Sequence, residues 1–346
     1  MRPTQLDKRL TGWRAEHEWL AAGSSVAQQQ TIRDFGRARA KAIKNRKDKN
    51  LPARQRRGMP RFKSKHGAAP TLNYTLRGFV LDGRQVRLAG GIVVRPVWSR
   101  ELPGAPSSVR IYRDPLGRWW CSFVVPGPQI ESLPTTGRSI GIDWGVTELA
   151  TTTSDVHDLA HPQHGKRAAQ RLARYQRMMA RRKLTKGSVA SRGYKAAKRG
   201  AAKQHARVAA QRSDTGRKWA RTVVTDFDQI AVEDFRPGFL AKSSMARKAA
   251  DGAIAATKRA LIEQAGKHGR HLVLIDPKHT TTDCGNCGAR AKHRLPLSQR
   301  AYRCEHCGHV APRDKSSAHV IHNRAGFNPA GADGIRPDRS PSEQAA

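Results

Sequence analysis

Four cysteines form two C-x2-C pairs with 16 residues between the pairs: Cys284, Cys287, Cys304 and Cys307. Each pair can direct two sulfurs at one point, and a hairpin between the pairs can complete a tetrahedron of thiolates around zinc. Four thiolates leave no coordination position for water, so the sequence predicts a structural Zn2+ in a zinc ribbon. His306 and His309 lie close enough to replace one ligand, and this alternative stays open.

Three acidic residues have the placement expected of a second metal site: Asp143, Glu233 and Asp314. The first two lie at or near the ends of apolar, strand-like runs, and Asp314 opens a helical pattern beyond a third strand. Clustered carboxylates repel one another in a poorly hydrated cleft unless divalent cations neutralise them. Two Mg2+ ions would activate a water and stabilise the leaving oxygen during in-line attack on a phosphodiester.

Each acid also has a structural interpretation. Asp143 could close a strand turn, Glu233 could pair with an arginine, and Asp314 could be a helix N-cap. Asp234 should point to the opposite strand face from Glu233, because side chains alternate along a strand. Three aspartates are weaker alternatives for the site: Asp155, Asp158 and Asp276.

The hydrophobic pattern predicts the elements that must position these residues. Strand patterns cover residues 139–145, 147–153, 229–235 and 271–276, and helical patterns cover 163–184, 189–225, 245–268 and 313–325. Residues 1–47 are mainly helical with a break at 23–25. Strand-like runs at 71–81, 85–88, 91–97, 107–112 and 119–125, with turn signals between them, indicate a small β-barrel. Cys121 lies in the last of these runs as a buried strand residue.

The charge balance points to a polyanionic partner. The chain has 346 residues, with 65 Lys and Arg against 27 Asp and Glu, a net charge of +38. Residues 166–221 hold 19 Lys and Arg against one acid, and residues 33–65 hold 14 against two. This asymmetry predicts nucleic-acid binding. No apolar run is long enough to span a membrane and no signal peptide begins the chain, so we expect a cytoplasmic, nucleoid-associated protein.

Several basic residues and one aromatic residue are the predicted nucleic-acid contacts: Arg61, Phe62, Lys63, Lys65, Arg181, Arg182, Lys183 and Arg212. Cations around a ring that can stack on bases suit a single-stranded or RNA backbone. The alternative for the two basic helices is a solvated surface. Nucleic-acid binding is favoured because acids for i, i+4 pairing are nearly absent.

Several motifs resemble the TnpB (OrfB) proteins of bacterial insertion sequences: Gly141-Ile-Asp143-Trp-Gly145, Val232-Glu233-Asp-Phe235, Thr281-Thr-Asp-Cys284-Gly-Asn-Cys287-Gly, and Cys304-Glu-His-Cys307-Gly followed by Asp314. Shorter similarities lie at 60–65, 110–120 and 211–214, and the likeness covers about residues 30–325. The resemblance implies an RNase H-like (RuvC) nuclease guided by a transposon-encoded RNA, related to type V CRISPR effectors.

Carried over by position, the resemblance makes Asp143, Glu233 and Asp314 the metal-binding carboxylates and the four cysteines the zinc ligands. It also implies that the β-barrel and the N-terminal helices grip guide RNA and target DNA. Two positions depart from the family pattern, where asparagines are replaced by Ser316 and Val320. The family's usual first strand and helix before Trp13 are also missing, so either the start codon lies downstream or this copy is truncated at its N-terminus.

Together these observations predict an α/β multidomain protein: a helical segment with a basic arm at 1–66, a β-barrel at 67–130, an RNase H-like domain at 131–325 with the zinc ribbon at 281–311 inserted, and a disordered tail at 326–346. The predicted function is RNA-guided, Mg2+-dependent DNA cleavage. A compact type V CRISPR effector and a cleavage-deficient, RNA-guided DNA-binding protein left over from a transposon remain as alternatives.

Overall fold

The computed structural model describes residues 3–51, 56, 58–64, 69–127, 132–182, 188–293, 295–296 and 298–327. Two predicted contacts, Lys65 and Lys183, lie outside these residues, as does almost all of the predicted tail. The chain divides into two compact units, Met1–Gln129 and Ile130–Ala346. No helix in the described ranges is long and apolar enough to cross a membrane. The finer domain boundaries stay predictions.

The first unit begins with three helices: α1 (Pro3–Glu16), α2 (Glu18–Ala21) and α3 (Ser25–Lys47). The predicted break near residue 23 is held by the Arg14 guanidinium, which donates to the carbonyl oxygens of Leu20 at 2.9 Å and Gly23 at 2.7 Å. These bonds satisfy carbonyls that have no partner within the short helix α2. The turn between α2 and α3 is therefore fixed by a side chain from α1.

Six strands follow in two antiparallel sheets: β1 (Thr71–Thr75), β2 (Phe79–Asp82), β3 (Gln85–Leu88), β4 (Ile92–Val94), β5 (Ser108–Arg113) and β6 (Trp119–Val124). The sheet orders are β1-β5-β6 and β2-β3-β4. Both sheets contribute to one core around Tyr74, Val86 and Val109. Cys121 is half-buried against this core, less enclosed than predicted.

The run at 71–81, predicted as one strand segment, is interrupted. A short 3-10 turn at Leu76–Gly78 separates β1 from β2, and the two strands join different sheets. A Cβ atom on Gly78 would lie 2.9 Å from the Tyr74 ring and from the Val26 side chain. The chain therefore turns where its backbone comes closest to the core, a feature that a run of strand-forming residues does not reveal.

The second unit is built on a five-stranded sheet: β7 (Ser139–Trp144), β8 (Glu148–Thr152), β9 (Leu159–Ala160), β10 (Gln229–Glu233) and β11 (His271–Ile275). The strand order is β11-β10-β7-β8-β9. Strands β7, β8 and β9 pair antiparallel, while β10 runs parallel to both β7 and β11. The central strands β7 and β10 are almost entirely buried, which indicates that both sheet faces are covered.

The remaining elements of this unit are α4 (His164–Ala180), α5 (Arg192–Asp226), α6 (Ala246–Gly252), α7 (Ile254–Lys267), β12 (Ala301–Arg303), β13 (Val310–Pro312) and α8 (Arg313–Arg324). Large apolar residues of β7 and β10, such as Ile142 and Val232, pack into the main core with Trp219 of α5 and Leu261 of α7. On the other face, Ala231 packs with Ile321 of α8. The two faces of the sheet therefore carry different side chains and different helices.

The helical pattern at 245–268, predicted as one helix, forms two. Ala253 adopts left-handed backbone angles (φ 55°, ψ 35°) between α6 and α7. The preceding Gly252 lies so close to the main core that a Cβ atom there would be 2.9 Å from Leu149 Cδ1. Close packing at Gly252, itself a poor helix former, accompanies the end of the first helix.

Candidate active site

Strand alternation places two of the predicted acids on the same face of the sheet. Asp143 shares its face of β7 with Gly141, and Glu233 shares its face of β10 with Ala231. This is the face on which α8 packs. Both carboxyl groups are buried, with residue exposures of 8% for Asp143 and 6% for Glu233. The structure therefore directs two acids toward the helix that carries the third.

Gly141 allows α8 to come this close. A Cβ atom at that position would lie 2.3 Å from the Ala318 carbonyl oxygen and 2.6 Å from His322 Cβ, distances that no real side chain tolerates. The nearby Ser139 hydroxyl lies 2.8 Å from His322 Nε2 across the same contact. The glycine two residues before Asp143 thus sets the separation between β7 and the helix that bears Asp314.

The three acids perturb one another electrostatically. Burial raises the pKa of Asp143 well above its usual range, and the neighbouring carboxylates of Glu233 and Asp314 raise it further. Burial also raises the pKa of Glu233 to about 7, although hydrogen bonds from the Trp144 backbone N–H and from the Thr280 side chain oppose this shift. Burial therefore disfavours the ionised forms of both acids, and at Asp143 the neighbouring carboxylates add to this effect.

Asp314 lies in the first turn of α8 and is not its N-cap. The N-cap position belongs to Pro312, and no side chain caps the helix. The Asp314 side chain is 37% exposed, and its carboxylate lies 3.5 Å from Arg313 Nε. Asp314 is therefore not the helix N-cap that was considered as an alternative. Its carboxylate stays available at the edge of the acidic cluster.

The weaker acidic alternatives are engaged elsewhere. Asp155 and Asp158 both form ion pairs with Lys315, at 2.5 and 2.7 Å. Asp234 pairs with Lys258 at 2.7 Å and with Arg236 at 2.9 Å, as expected for a side chain directed away from Glu233. Asp276, exposed after β11, accepts the Lys278 N–H. None of these four replaces a member of the buried set.

Sequence reasoning missed the basic residues that surround the acids. The positive charge of Arg313 opposes the rise in the Asp143 pKa, and that of Lys258 opposes the rise at Glu233. Lys315, next to Asp314, donates to the Thr152 carbonyl oxygen at 2.9 Å and so ties α8 to the strand beside Asp143. Arg313 and Lys315 could have been found from the sequence because they flank Asp314. Lys258 could not, because only the folding of the chain places it near Glu233.

The two positions that depart from the family pattern are buried in α8. Val320 is 4% exposed and Ser316 is 3% exposed. The Ser316 hydroxyl has no hydrogen-bond partner within the described residues. A buried hydroxyl without a partner is costly, so a water molecule or another bound group would be needed to satisfy it.

The four predicted zinc ligands converge. Their sulfur atoms all lie within 4.8 Å of one another, with Cys284 and Cys307 at 3.8 Å and Cys287 and Cys304 at 3.7 Å. Backbone N–H groups, foremost that of Cys307, lower the pKa of Cys304 to about 6, which favours the thiolate form. The histidines considered as substitutes lie outside this group.

The cysteine cluster is anchored to α8. A Cβ atom on Gly285 would lie 2.7 Å from His319 Cβ and 3.0 Å from the Ser316 carbonyl oxygen. The Asn323 amide donates to the Gly285 carbonyl oxygen at 2.6 Å. The first C-x2-C loop therefore rests directly on the helix that carries Asp314.

The predicted nucleic-acid contacts have different surroundings. Arg61, Lys63, Arg181 and Arg182 are exposed, and Phe62 is 93% exposed. Arg212 instead donates to the Asp251 carboxylate at 2.8 Å, where the carboxylate is 8% exposed. Its guanidinium therefore has a partner inside the protein, and its role toward nucleic acid stays a prediction.

Comparison with known proteins identifies the family. Residues 122–244 match the family described as probable transposase (OrfB of IS605), and residues 255–321 match the Cas12f1-like TNB domain. The chain is 33% identical over 345 residues to a putative RNA-guided DNA endonuclease of Streptomyces pristinaespiralis, covering 98% of this chain and 81% of the relative. The chain belongs to the OrfB (TnpB) family. The resemblance in the sequence motifs is confirmed.

Other relatives of this OrfB-family chain agree with that assignment. It is 26% identical over 335 residues to the putative RNA-guided DNA endonuclease InsQ of Escherichia coli K12, covering 90% of this chain and 78% of InsQ. Its fold resembles Cas12f1 in a complex with sgRNA and target DNA, with a TM-score of 0.52 and 12% identity, covering 87% of this chain and 71% of that chain. The mixed α/β architecture is thereby confirmed.

Proposed function

We propose that this OrfB-family protein is a transposon-associated, RNA-guided DNA endonuclease whose catalytic carboxylates are Asp143, Glu233 and Asp314. The observation that carries the proposal is the burial of two carboxyl groups on one sheet face, against the helix bearing the third. Burying like charges together destabilises a fold, so such an arrangement is expected where a function requires it. Relatives named as RNA-guided DNA endonucleases support the reaction class.

The topology supports an RNase H-like (RuvC) assignment for the second unit. An antiparallel three-stranded meander is followed by two strands that add on the other side, parallel to the first strand of the meander. The acids come from β7, β10 and α8, three elements distant in sequence. In the first unit, two three-stranded sheets around one core support the proposed β-barrel, which would act as a wedge-like domain beside the helical segment.

The residues of the acidic cluster fit divalent cations. Carboxylate oxygens are the ligands that Mg2+ prefers, and a cation would offset both the burial of Asp143 and its repulsion by Glu233 and Asp314, which together raise its pKa. Two Mg2+ ions held by Asp143, Glu233 and Asp314 would supply activation of water and stabilisation of a leaving oxygen.

The protein's own residues prepare this cluster. Arg313 keeps positive charge beside Asp314, and the Trp144 N–H and Thr280 hold Glu233 in place. Lys258 engages Asp234, so the acid next to Glu233 does not compete for the site. These contacts would orient the acids before a substrate binds.

The four cysteines fit a structural zinc ion. A tetrahedron with Zn–S distances of about 2.3 Å has edges of about 3.8 Å. The Cys284–Cys307 and Cys287–Cys304 sulfur pairs lie 3.8 and 3.7 Å apart, and all four sulfurs lie within 4.8 Å of one another. Cys284, Cys287, Cys304 and Cys307 would hold the ion, and its ligation would stabilise a module whose own core is only a few residues. The module's contact with α8 would transmit that stability to Asp314.

The proposed partners are guide RNA and target DNA. The net charge of +38 and the exposed Arg61, Lys63, Arg181 and Arg182 support binding to phosphate backbones. Two alternative functions are each supported by a specific observation. A type V CRISPR effector has the same site, and a cleavage-deficient RNA-guided binding protein is favoured by Ser316 and Val320 at positions that are polar in the family.

The test is purification of the protein with its bound RNA, followed by sequencing of that RNA. We expect one RNA species whose variable end determines which plasmid is cut when it is replaced. Cleavage that ignores the RNA sequence would contradict guidance. Guided binding without any cleavage would instead select the cleavage-deficient alternative.

A further inference from the structure

The hairpin of β5 and β6 ends in two adjacent tryptophans that the core of the first unit does not use. Trp119 and Trp120 expose 57% and 44% of their surface. They occupy neighbouring strand positions and therefore point to opposite faces of the sheet. Two large aromatic side chains left in water at one strand end mark a surface that binds something.

Asp114 in the hairpin turn holds this end of the sheet in place. Its Oδ1 atom accepts the Leu116 and Arg118 N–H groups, both at 2.9 Å. Its Oδ2 atom accepts Arg118 Nε at 2.8 Å and the Trp120 indole N–H at 3.0 Å. Partial burial raises the pKa of Asp114, but the hydrogen bonds from Trp120 and Arg118 outweigh this and lower it. The carboxylate therefore stays ionised and keeps its four donors.

The result is a preformed stack of a guanidinium on an indole. Arg118 Cζ lies 5.2 Å from the centroid of the Trp120 ring. On the same face, Tyr112 pairs with Trp120 across the ladder, and Arg110 lies two residues before Tyr112 on β5. Because Asp114 fixes both Trp120 and Arg118, a ligand need not order them, which lowers the entropic cost of binding.

Charge on this hairpin is complementary to a polyanion. Arg110, Arg113 and Arg118 are exposed, with Arg113 opposite Trp119 in the register. The acid within the hairpin, Asp114, is occupied by the four donors described above. An aromatic plane, a planar cation and surplus positive charge together suit a nucleobase and its phosphate.

We propose that this hairpin platform, formed by Trp120 and the Arg118 guanidinium stacked on it, binds unpaired nucleotides by stacking. Bases in a duplex already stack on both sides, so the ligand is a single-stranded segment. The inference builds on the proposed function, in which such segments are an unpaired part of the guide RNA or the DNA strand displaced from the target.

The experiment measures the affinity of the full chain for two unstructured probes, fluorescent oligouridylate and oligothymidylate. Base stacking is worth about 1–3 kcal/mol per base, so Trp120→Ala should weaken binding of at least one probe about fivefold or more. Trp120→Phe should retain most of the affinity. Arg118→Gln should reduce the salt dependence by about one phosphate contact. The probe whose binding is weakened shows whether the platform binds single-stranded RNA or single-stranded DNA.

The matched control is Val124→Ala, which removes an exposed apolar side chain from the same face of β6. It should leave both affinities unchanged. Ultraviolet cross-linking with bromouridine-substituted probe should map to Trp120. Unchanged affinity of Trp120→Ala for both probes would overturn the proposal. A Trp120→Ala variant that changes its oligomeric state but not its affinity would also overturn it. None of these measurements depends on cleavage. Failure of the nuclease assay can therefore be distinguished from failure of the stacking proposal.

Discussion

Asp143 combines a buried carboxyl group with two acidic neighbours, an arrangement that costs stability unless a cation is present. Asp143→Asn removes the repulsion while keeping the shape. We expect the variant to melt higher than the wild type in metal-free buffer, with each kcal/mol of relieved repulsion worth about 2–4 °C.

Added Mg2+ should then raise the melting temperature of the wild type more than that of Asp143→Asn, because only the wild type has the full ligand set. Asp276→Asn, at an exposed acid after β11, is the control and should change neither value. A lower melting temperature for metal-free Asp143→Asn would contradict the interpretation of this site as strained.

Asp251 is an acid whose burial is fully compensated. Its carboxylate accepts the Gly165 and Lys166 N–H groups at 2.6 and 2.9 Å and pairs with Arg212. Although burial raises the pKa of Asp251, these hydrogen bonds and the Arg212 charge lower it below its unfolded value. Asp251 thus ties the start of α4 to α5.

Because the folded pKa is lowered, the stabilisation by Asp251 is complete above the unfolded pKa of about 3.9 and is lost as the pH falls through the folded pKa. Asp251→Asn should cost about 2 kcal/mol near neutral pH, measured by urea unfolding. The difference from wild type should shrink in acid. Asp214→Asn, at an exposed Lys218 pair, should stay within about 0.5 kcal/mol. Equal effects of both variants would refute the assignment.

At the scale of elements, the contact between β7 and α8 determines where Asp314 lies. Gly141→Ala places a methyl group against the Ala318 carbonyl, so the helix must move. We expect a stability loss of about 1–3 kcal/mol and a loss of DNA cleavage, with RNA binding retained. Gly266→Ala on the exposed face of α7 meets no atom within 4 Å and should stabilise the protein slightly. Full cleavage by Gly141→Ala would show that this spacing is unimportant.

The cysteine module acts on the same helix from the other side. Removal of zinc by a chelator, or Cys304→Ser, should unfold residues 281–311 and loosen α8, because Gly285 and Asn323 link the two. Hydrogen exchange should rise in both segments while β10 stays protected. Elemental measurement should find about one zinc per chain in the wild type. Protection of α8 that is unaffected by zinc loss would contradict this coupling.

Sequence patterns predict much of the site, since its residues have distinctive chemistry. The cysteine pairs and the acids Asp143 and Glu233 can be recognised in the sequence because turn residues or apolar strand patterns flank them. Strand alternation even explains why Asp234 is turned away. The roles of Gly141 and Lys258 depend on which elements pack together, and no local pattern encodes that. The same reason hides the break at Ala253 and the sheet change at Gly78.

At the scale of the whole molecule, the two units divide the proposed tasks. The first carries the hairpin platform and the exposed Phe62, and the second carries the acidic cluster and the cysteines. A net charge of +38 makes binding steeply dependent on salt, because each phosphate contact releases counterions. Affinity for guide RNA should fall by orders of magnitude as salt rises, and an affinity insensitive to salt would contradict a phosphate-dominated interface.

The central claim is that Asp143, Glu233 and Asp314 together cut DNA under RNA guidance. The most direct test compares single-turnover cleavage of a matched plasmid by the wild type, Asp143→Ala, Glu233→Gln and Asp314→Asn, each loaded with the same RNA, with Asp234→Asn as control. We predict that the three site variants bind the target but lose cleavage by about a hundredfold or more, while Asp234→Asn cuts. A wild-type cleavage rate in any of the three site variants would contradict the account. So would a wild-type protein that is as inactive as these variants.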